Sequence, residues 1–83
     1  MTPQVVVFSR PGCHLCVEAL AEIVDLHTEG YRFDLREIDI ESDDGLLRRL
    51  LERIPVVEVD GEIVSELVLD RAALVARLDT VGP

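Results

Sequence analysis

Gln4-Val5-Val6-Val7-Phe8-Ser9-Arg10-Pro11-Gly12-Cys13-His14-Leu15-Cys16 carries an apolar, β-branched run into a Pro-Gly turn and then into two cysteines. Gln4–Phe8 reads as a central strand, because Val5 to Phe8 offer apolar side chains to both faces of a sheet. Ser9–Gly12 is a turn by composition. A helix then runs from Cys13 or His14 to Thr28. Its apolar stripe is Cys16, Ala19, Leu20, Ile23, Val24 and His27, its charged face Glu18, Glu22, Asp25 and Glu29. Gly30 supplies the stop.

Beyond that helix, Tyr31 to Ile40 alternates and then shifts phase, which predicts a strand over 32–39 with a bulge around Arg36–Glu37. Ser42 is placed to cap a short helix reaching Arg53, with Leu46, Leu47, Leu50 and Leu51 inward. Ile54 precedes Pro55 and is therefore extended. Val56–Val59, Asp60-Gly61 and Glu62–Ser65 spell a β-hairpin with a primed turn. Asp70 caps a last helix to about Leu78, and Leu69 is positioned to staple against Leu74. The order is βαβαββα: an α/β sandwich of a four-stranded mixed sheet and three helices, with residues 1–83 as one domain.

Composition narrows the function. Seventeen acids against eight bases give a net charge of −9, and every base is arginine. Nucleic acid and anionic membrane surfaces both demand converging cations, so neither is an expected partner. The longest apolar run, Val5–Phe8, is far too short for a membrane span, and Arg10-Pro11 interrupts any signal-peptide core. The expected location is the cytoplasm, and the expected state is a monomer.

Two cysteines three positions apart close a loop too small to matter much for stability, about 2 kcal/mol on chain-entropy grounds. Their use is chemical. A helix N-terminus favours an anion, which for Cys13 means thiolate, and Arg10 upstream is a candidate additional cation. Cys16 falls on the apolar stripe and Cys13 one turn earlier at the open end. Cys13 is therefore the candidate nucleophile and Cys16 the resolving thiol. His14 is either a tuner of the thiolate or an exposed spacer. Pro55 opens the third strand at the same sheet end, where Ile54-Pro55 is either a cis bond beside the sulfurs or a simple helix stop.

Phe8 through Cys16, Ile54-Pro55-Val56 before the Asp60-Gly61 hairpin, and the element order together resemble the thioredoxin fold. The Cys-His-Leu-Cys motif resembles the short glutaredoxin-like family, over essentially the whole chain. The resemblance implies that Cys13 and Cys16 are the redox pair, that Pro55 is a cis-proline facing them, and that Arg10, Ile54 and Pro55 border the substrate. Two departures weigh against carrying glutathione over as co-substrate. His14-Leu15 replaces the usual Pro-Tyr, and Glu62-Ile63-Val64-Ser65-Glu66-Leu67 lacks the double glycine expected after the last strand.

No cofactor is implied. A zinc site from Cys13, Cys16 and His27 is short of ligands, so no metal is expected; a cluster shared across a dimer, known in some glutaredoxins, has no support in the residues. Two classes of function remain. One is a thiol–disulfide oxidoreductase moving electrons from a reductase or low-molecular-weight thiol to a protein or small disulfide. The other is a thioredoxin-fold scaffold whose cysteines are inactive or regulatory.

Overall fold

A computed structural model describes residues 2–81. The apolar run forms β1 (Gln4–Ser9), an inner strand of a sheet ordered β2-β1-β3-β4, with β2 at Asp34–Asp39, β3 at Val56–Val59 and β4 at Glu62–Glu66. β1 and β2 are parallel, joined through α1 (His14–Thr28), whereas β3 pairs antiparallel with both β1 and β4. The short α2 (Asp44–Leu50) and α3 (Arg71–Val81) complete the α/β sandwich. No helix among the described residues is long and apolar enough to cross a membrane.

Both faces of β1 are used, as its composition requires. Val5 and Val7, with Val57 and Val59, pack under Ile23 and Leu26 of α1 and Leu74 and Leu78 of α3. Phe8 and Val56 face the other way, onto Ile40 and Leu50. Cys16 belongs to this second cluster although most of its helix covers the first. The opening turn of α1 therefore sits where β1 ends and both faces meet.

The buried arc of α1 is Cys16, Ala19, Ile23 and Leu26. That corrects the predicted stripe at three positions: Val24 is exposed, His27 lies outside the arc with its ring edge-on to Phe33 at 5.0 Å, and Leu26, off the predicted stripe, is fully buried. Gly30, at φ 109°, closes the helix: its N–H bonds to the His27 carbonyl and that of Tyr31 to Leu26, a Schellman ending.

The predicted bulge at Arg36–Glu37 is absent, since β2 pairs in unbroken register from Gln4↔Asp34 to Ser9↔Asp39. The phase shift has another cause. Phe33 reaches the first cluster from the loop before the strand, and Ile38 reaches the second from within it. The irregularity lies instead in β4, where the pairing slips between Val57↔Ser65 and Glu58↔Ile63 and leaves Val64 as the extra residue.

The second helix also differs from expectation. Ile40–Ser42 is a 3₁₀ turn, and the cap of α2 is Asp43, whose Oδ1 accepts from the Gly45 N–H at 2.7 Å. The Ser42 hydroxyl is occupied by the Asp39 carbonyl. The regular helix stops at Leu50, three residues early, because Arg53 and Ile54 both donate to the Leu50 carbonyl while the chain turns toward the proline, and Leu51 is left exposed. The hairpin turn is as read: Asp60 and Gly61 both have positive φ, 50° and 87°. Asp70 Oδ1 caps α3 through the Ala73 N–H at 3.0 Å, and Leu69 packs on the cluster holding Leu74.

Candidate active site

The two cysteines form a disulfide with Cα atoms 5.2 Å apart, inside the range such a bridge requires. Gly12, at φ 80°, turns the chain off β1 so that Cys13 can act as the cap of α1. The Cys13 backbone is extended, and its Sγ accepts the Cys16 backbone N–H at 3.1 Å. The unpaired amide of a helix start is thus aimed at the outer sulfur. Cys13 is half-buried, whereas Cys16 is only 2% exposed, beneath Phe8 and Val56. His14 and Leu15 between them are exposed.

Ile54 shares the cluster of Cys16, and the Ile54–Pro55 bond is cis. Both residues are buried at the entrance to β3. Arg10 does not present a free cation to the sulfurs. Its guanidinium is held by Glu41, with Nη2 2.7 Å and Nε 2.9 Å from Oε2. Beside it a cleft of about 390 Å³ is lined by Arg10, Gly12, Val17, Glu37 and Asp39, with the Ser9 hydroxyl donating to Glu37 at 2.7 Å. Arg53, next to Ile54, is engaged in the same manner: its Nη2 and Nε both reach the Glu66 carboxylate, Nε at 3.1 Å. The hydrogen bond from Arg53 holds Glu66 below the usual carboxylate range, and Glu66 raises the Arg53 guanidinium.

The segment after β4 contains what sequence reasoning missed. Leu67 adopts a left-handed backbone, φ 63°, in the region where a double glycine was expected, and its N–H donates to the Arg53 carbonyl at 3.0 Å. Ser65 is buried; its hydroxyl accepts from the Asp70 N–H at 2.8 Å and donates to the Val68 carbonyl at 3.3 Å. That latch fixes the turn from β4 into α3. The one available signal was a lone serine in a strand five residues before a capping aspartate. Glu41 and Glu66 gave none, because their partners are 31 and 13 residues away.

His27 lies about 16 Å along the helix axis from Cys16, out of reach of any ion at the cysteines. Among the described residues no group of three or more His, Cys, Asp or Glu is gathered to hold a metal ion.

A disulfide at the start of the first helix, over a mixed sheet of this order, defines a thioredoxin-fold protein with a Cys-x-x-Cys centre, and that combination supports a thiol redox role. The chain matches the Glutaredoxin-like domain (DUF836) over residues 4–79 and belongs to that family. It is 33% identical over 81 residues to the uncharacterised Mycobacterium tuberculosis protein Rv0508, covering 92% of this chain and 82% of that one. Among solved structures, protein Ne2328 from Nitrosomonas europaea superposes with a TM-score of 0.80 at 29% identity, over 93% of this chain and 92% of its own. A thioredoxin from Halobacterium salinarum shares the fold at a TM-score of 0.63 and 24% identity, over 98% of this chain and 75% of that one.

Proposed function

We propose that this protein is a small thiol–disulfide oxidoreductase that carries electron pairs to protein or low-molecular-weight disulfides. The observation that supports this most is the Cys16 N–H directed at Cys13 Sγ, with Cys16 itself sealed from water. In the dithiol form the same amide stabilises a Cys13 thiolate, and each pKa unit of lowering corresponds to about 1.4 kcal/mol of such preference.

The Cys13 thiolate attacks a substrate disulfide, forming a mixed disulfide and expelling one substrate thiolate. Cys16 loses its proton and attacks Cys13 Sγ. The second substrate thiolate leaves, and the two thiolates take up two protons. The substrate gains two electrons, and the protein ends as the Cys13–Cys16 disulfide. A low-molecular-weight thiol or a flavin-containing reductase restores the dithiol. Ile54 and Pro55 border the substrate chain beside the sulfurs, and exposed His14 has room to tune the thiolate. Such a cycle suits a monomer in the cytoplasm, where thiols are kept reduced.

The test is trapping. With Cys16→Ser the mixed disulfide on Cys13 has no resolving thiol, so a substrate offered as a disulfide stays attached and is identified by mass. Absence of any adduct on this variant, with no reduction of insulin or small disulfides by the wild-type protein, points instead to a scaffold with inert cysteines.

A further inference from the structure

The surface around the disulfide has a chemical bias of its own. Leu15, between the cysteines, is 42% exposed, and Val68, from the turn fixed by Ser65, is 68% exposed. With Leu69, Glu18 and Glu22 they line a shallow cleft of about 170 Å³. Leu15, Glu18 and Glu22 lie on one face of α1, three and seven residues apart, so the apolar ledge beside the sulfurs continues directly into carboxylates. Among the described residues neither Glu18 nor Glu22 is in an ion pair. Arg71 feels the Glu22 carboxylate, but both Glu29 oxygens hold its guanidinium at 2.9 Å.

The two arginines that adjoin the Cys13 turn and the cis-proline are occupied. Arg10 is paired with Glu41 and Arg53 with Glu66. Arg48 and Arg49 are exposed on α2, whose Leu46, Leu47 and Leu50 pack in the same cluster as the cysteines; they line a separate cleft with Leu47 and Leu51, and Arg49 Nε donates to the Gly45 carbonyl at 3.3 Å. The net charge of −9 repels anions at longer range as well.

We infer that the preferred substrate is a polypeptide disulfide whose cysteine is flanked by an apolar residue and by arginine or lysine, seated on the Leu15–Val68 ledge with its cations against Glu18 and Glu22, and that small anionic disulfides of the glutathione type are disfavoured. The inference rests on the thiol-redox reading of Cys13 and Cys16. The reaction is the exchange written above, with the polypeptide leaving as its free thiol.

The experiment uses the full chain, reduced and freed of reductant. Its substrates are short peptides with a leucine beside one cysteine and two flanking Arg, Ala or Glu residues, each disulfide-linked to the same chromogenic thiol. Glutathione carrying that leaving group is the fourth substrate. Two exposed charge contacts correspond to a preference of about tenfold in the single-turnover second-order rate constant for the Arg peptide over the Glu peptide at low salt. The preference shrinks toward unity near 1 M salt, where screening acts within about 3 Å. Glu18→Gln with Glu22→Gln is expected to reduce it to about threefold or less. Val68→Ser is expected to slow every peptide while leaving the Arg-to-Glu ratio in place. Equal rates for all four substrates, a faster Glu peptide or glutathione, or a ratio untouched by the double substitution each overturns the inference while leaving the redox reading intact. Release from none of the substrates overturns both.

Discussion

Leu67 carries a side chain in a backbone conformation that glycine adopts without cost, and this reverses the usual ranking of two small residues at one position. At φ 63° the Cβ of an L-residue approaches its own carbonyl, which costs about 1–2 kcal/mol. Glycine escapes that cost but loses about 0.5–1 kcal/mol more chain freedom on folding than alanine does. Leu67 is 49% exposed, and Leu67→Gly and Leu67→Ala remove nearly the same contacts, so lost burial cancels in their comparison. Leu67→Gly should therefore be more stable than Leu67→Ala by roughly 0.5–1 kcal/mol. For a domain of this size that corresponds to a melting temperature higher by about 2–8 °C. Guanidinium melts of both variants, in the oxidised form at neutral pH, measure the difference. Alanine equal to or more stable than glycine would show that the left-handed backbone of this turn is not maintained, and with it the placement of Val68 beside Leu15 would be lost.

Ser65→Ala removes both halves of the latch, a 2.8 Å bond from the Asp70 N–H and a longer one to the Val68 carbonyl, and should destabilise by about 1–2 kcal/mol in denaturant melts; a loss under about 0.5 kcal/mol would mean water replaces the hydroxyl freely. Acid should weaken the Arg53–Glu66 contact. Because Arg53 lowers the folded pKa of Glu66 below its ordinary 4.5, the contribution is complete above that value and disappears as pH falls through the lowered one. The gap in urea midpoint between wild type and Glu66→Gln should accordingly narrow below about pH 4.5, and a gap unchanged from pH 7 to pH 3 would contradict the pairing.

Much of this architecture is legible in local sequence because local chemistry dictates it. The Val5–Phe8 run needs cover on both faces and receives it, Asp60-Gly61 supplies two positive φ values, and Asp70 has an amide three residues on to accept from. The structure departs from the local pattern where tertiary contacts outweigh it. The alternation around Arg36–Glu37 resembled a bulge because one short segment serves two cores, through Phe33 and Ile38. The true bulge at Val64 carries no glycine to announce it. Ser42 is as good a cap as Asp43 by residue type, and only the 3₁₀ turn before it decides between them. At the site, the helix periodicity places the two cysteines and the element order places Pro55 at their end of the sheet, with its cis bond implied by the family resemblance, whereas the ion pairs that occupy Arg10 and Arg53 depend on residues brought together only by the fold.

Competitive alkylation of the fully reduced protein tests the central claim most directly. With limiting iodoacetamide near neutral pH and peptide-level mass spectrometry, Cys13 should be carbamidomethylated many times faster than Cys16, and its rate should rise with pH through a midpoint below the ordinary thiol value of about 8.5. Equal labelling of the two thiols, or faster labelling of Cys16, would contradict the division of labour on which the electron-transfer cycle depends.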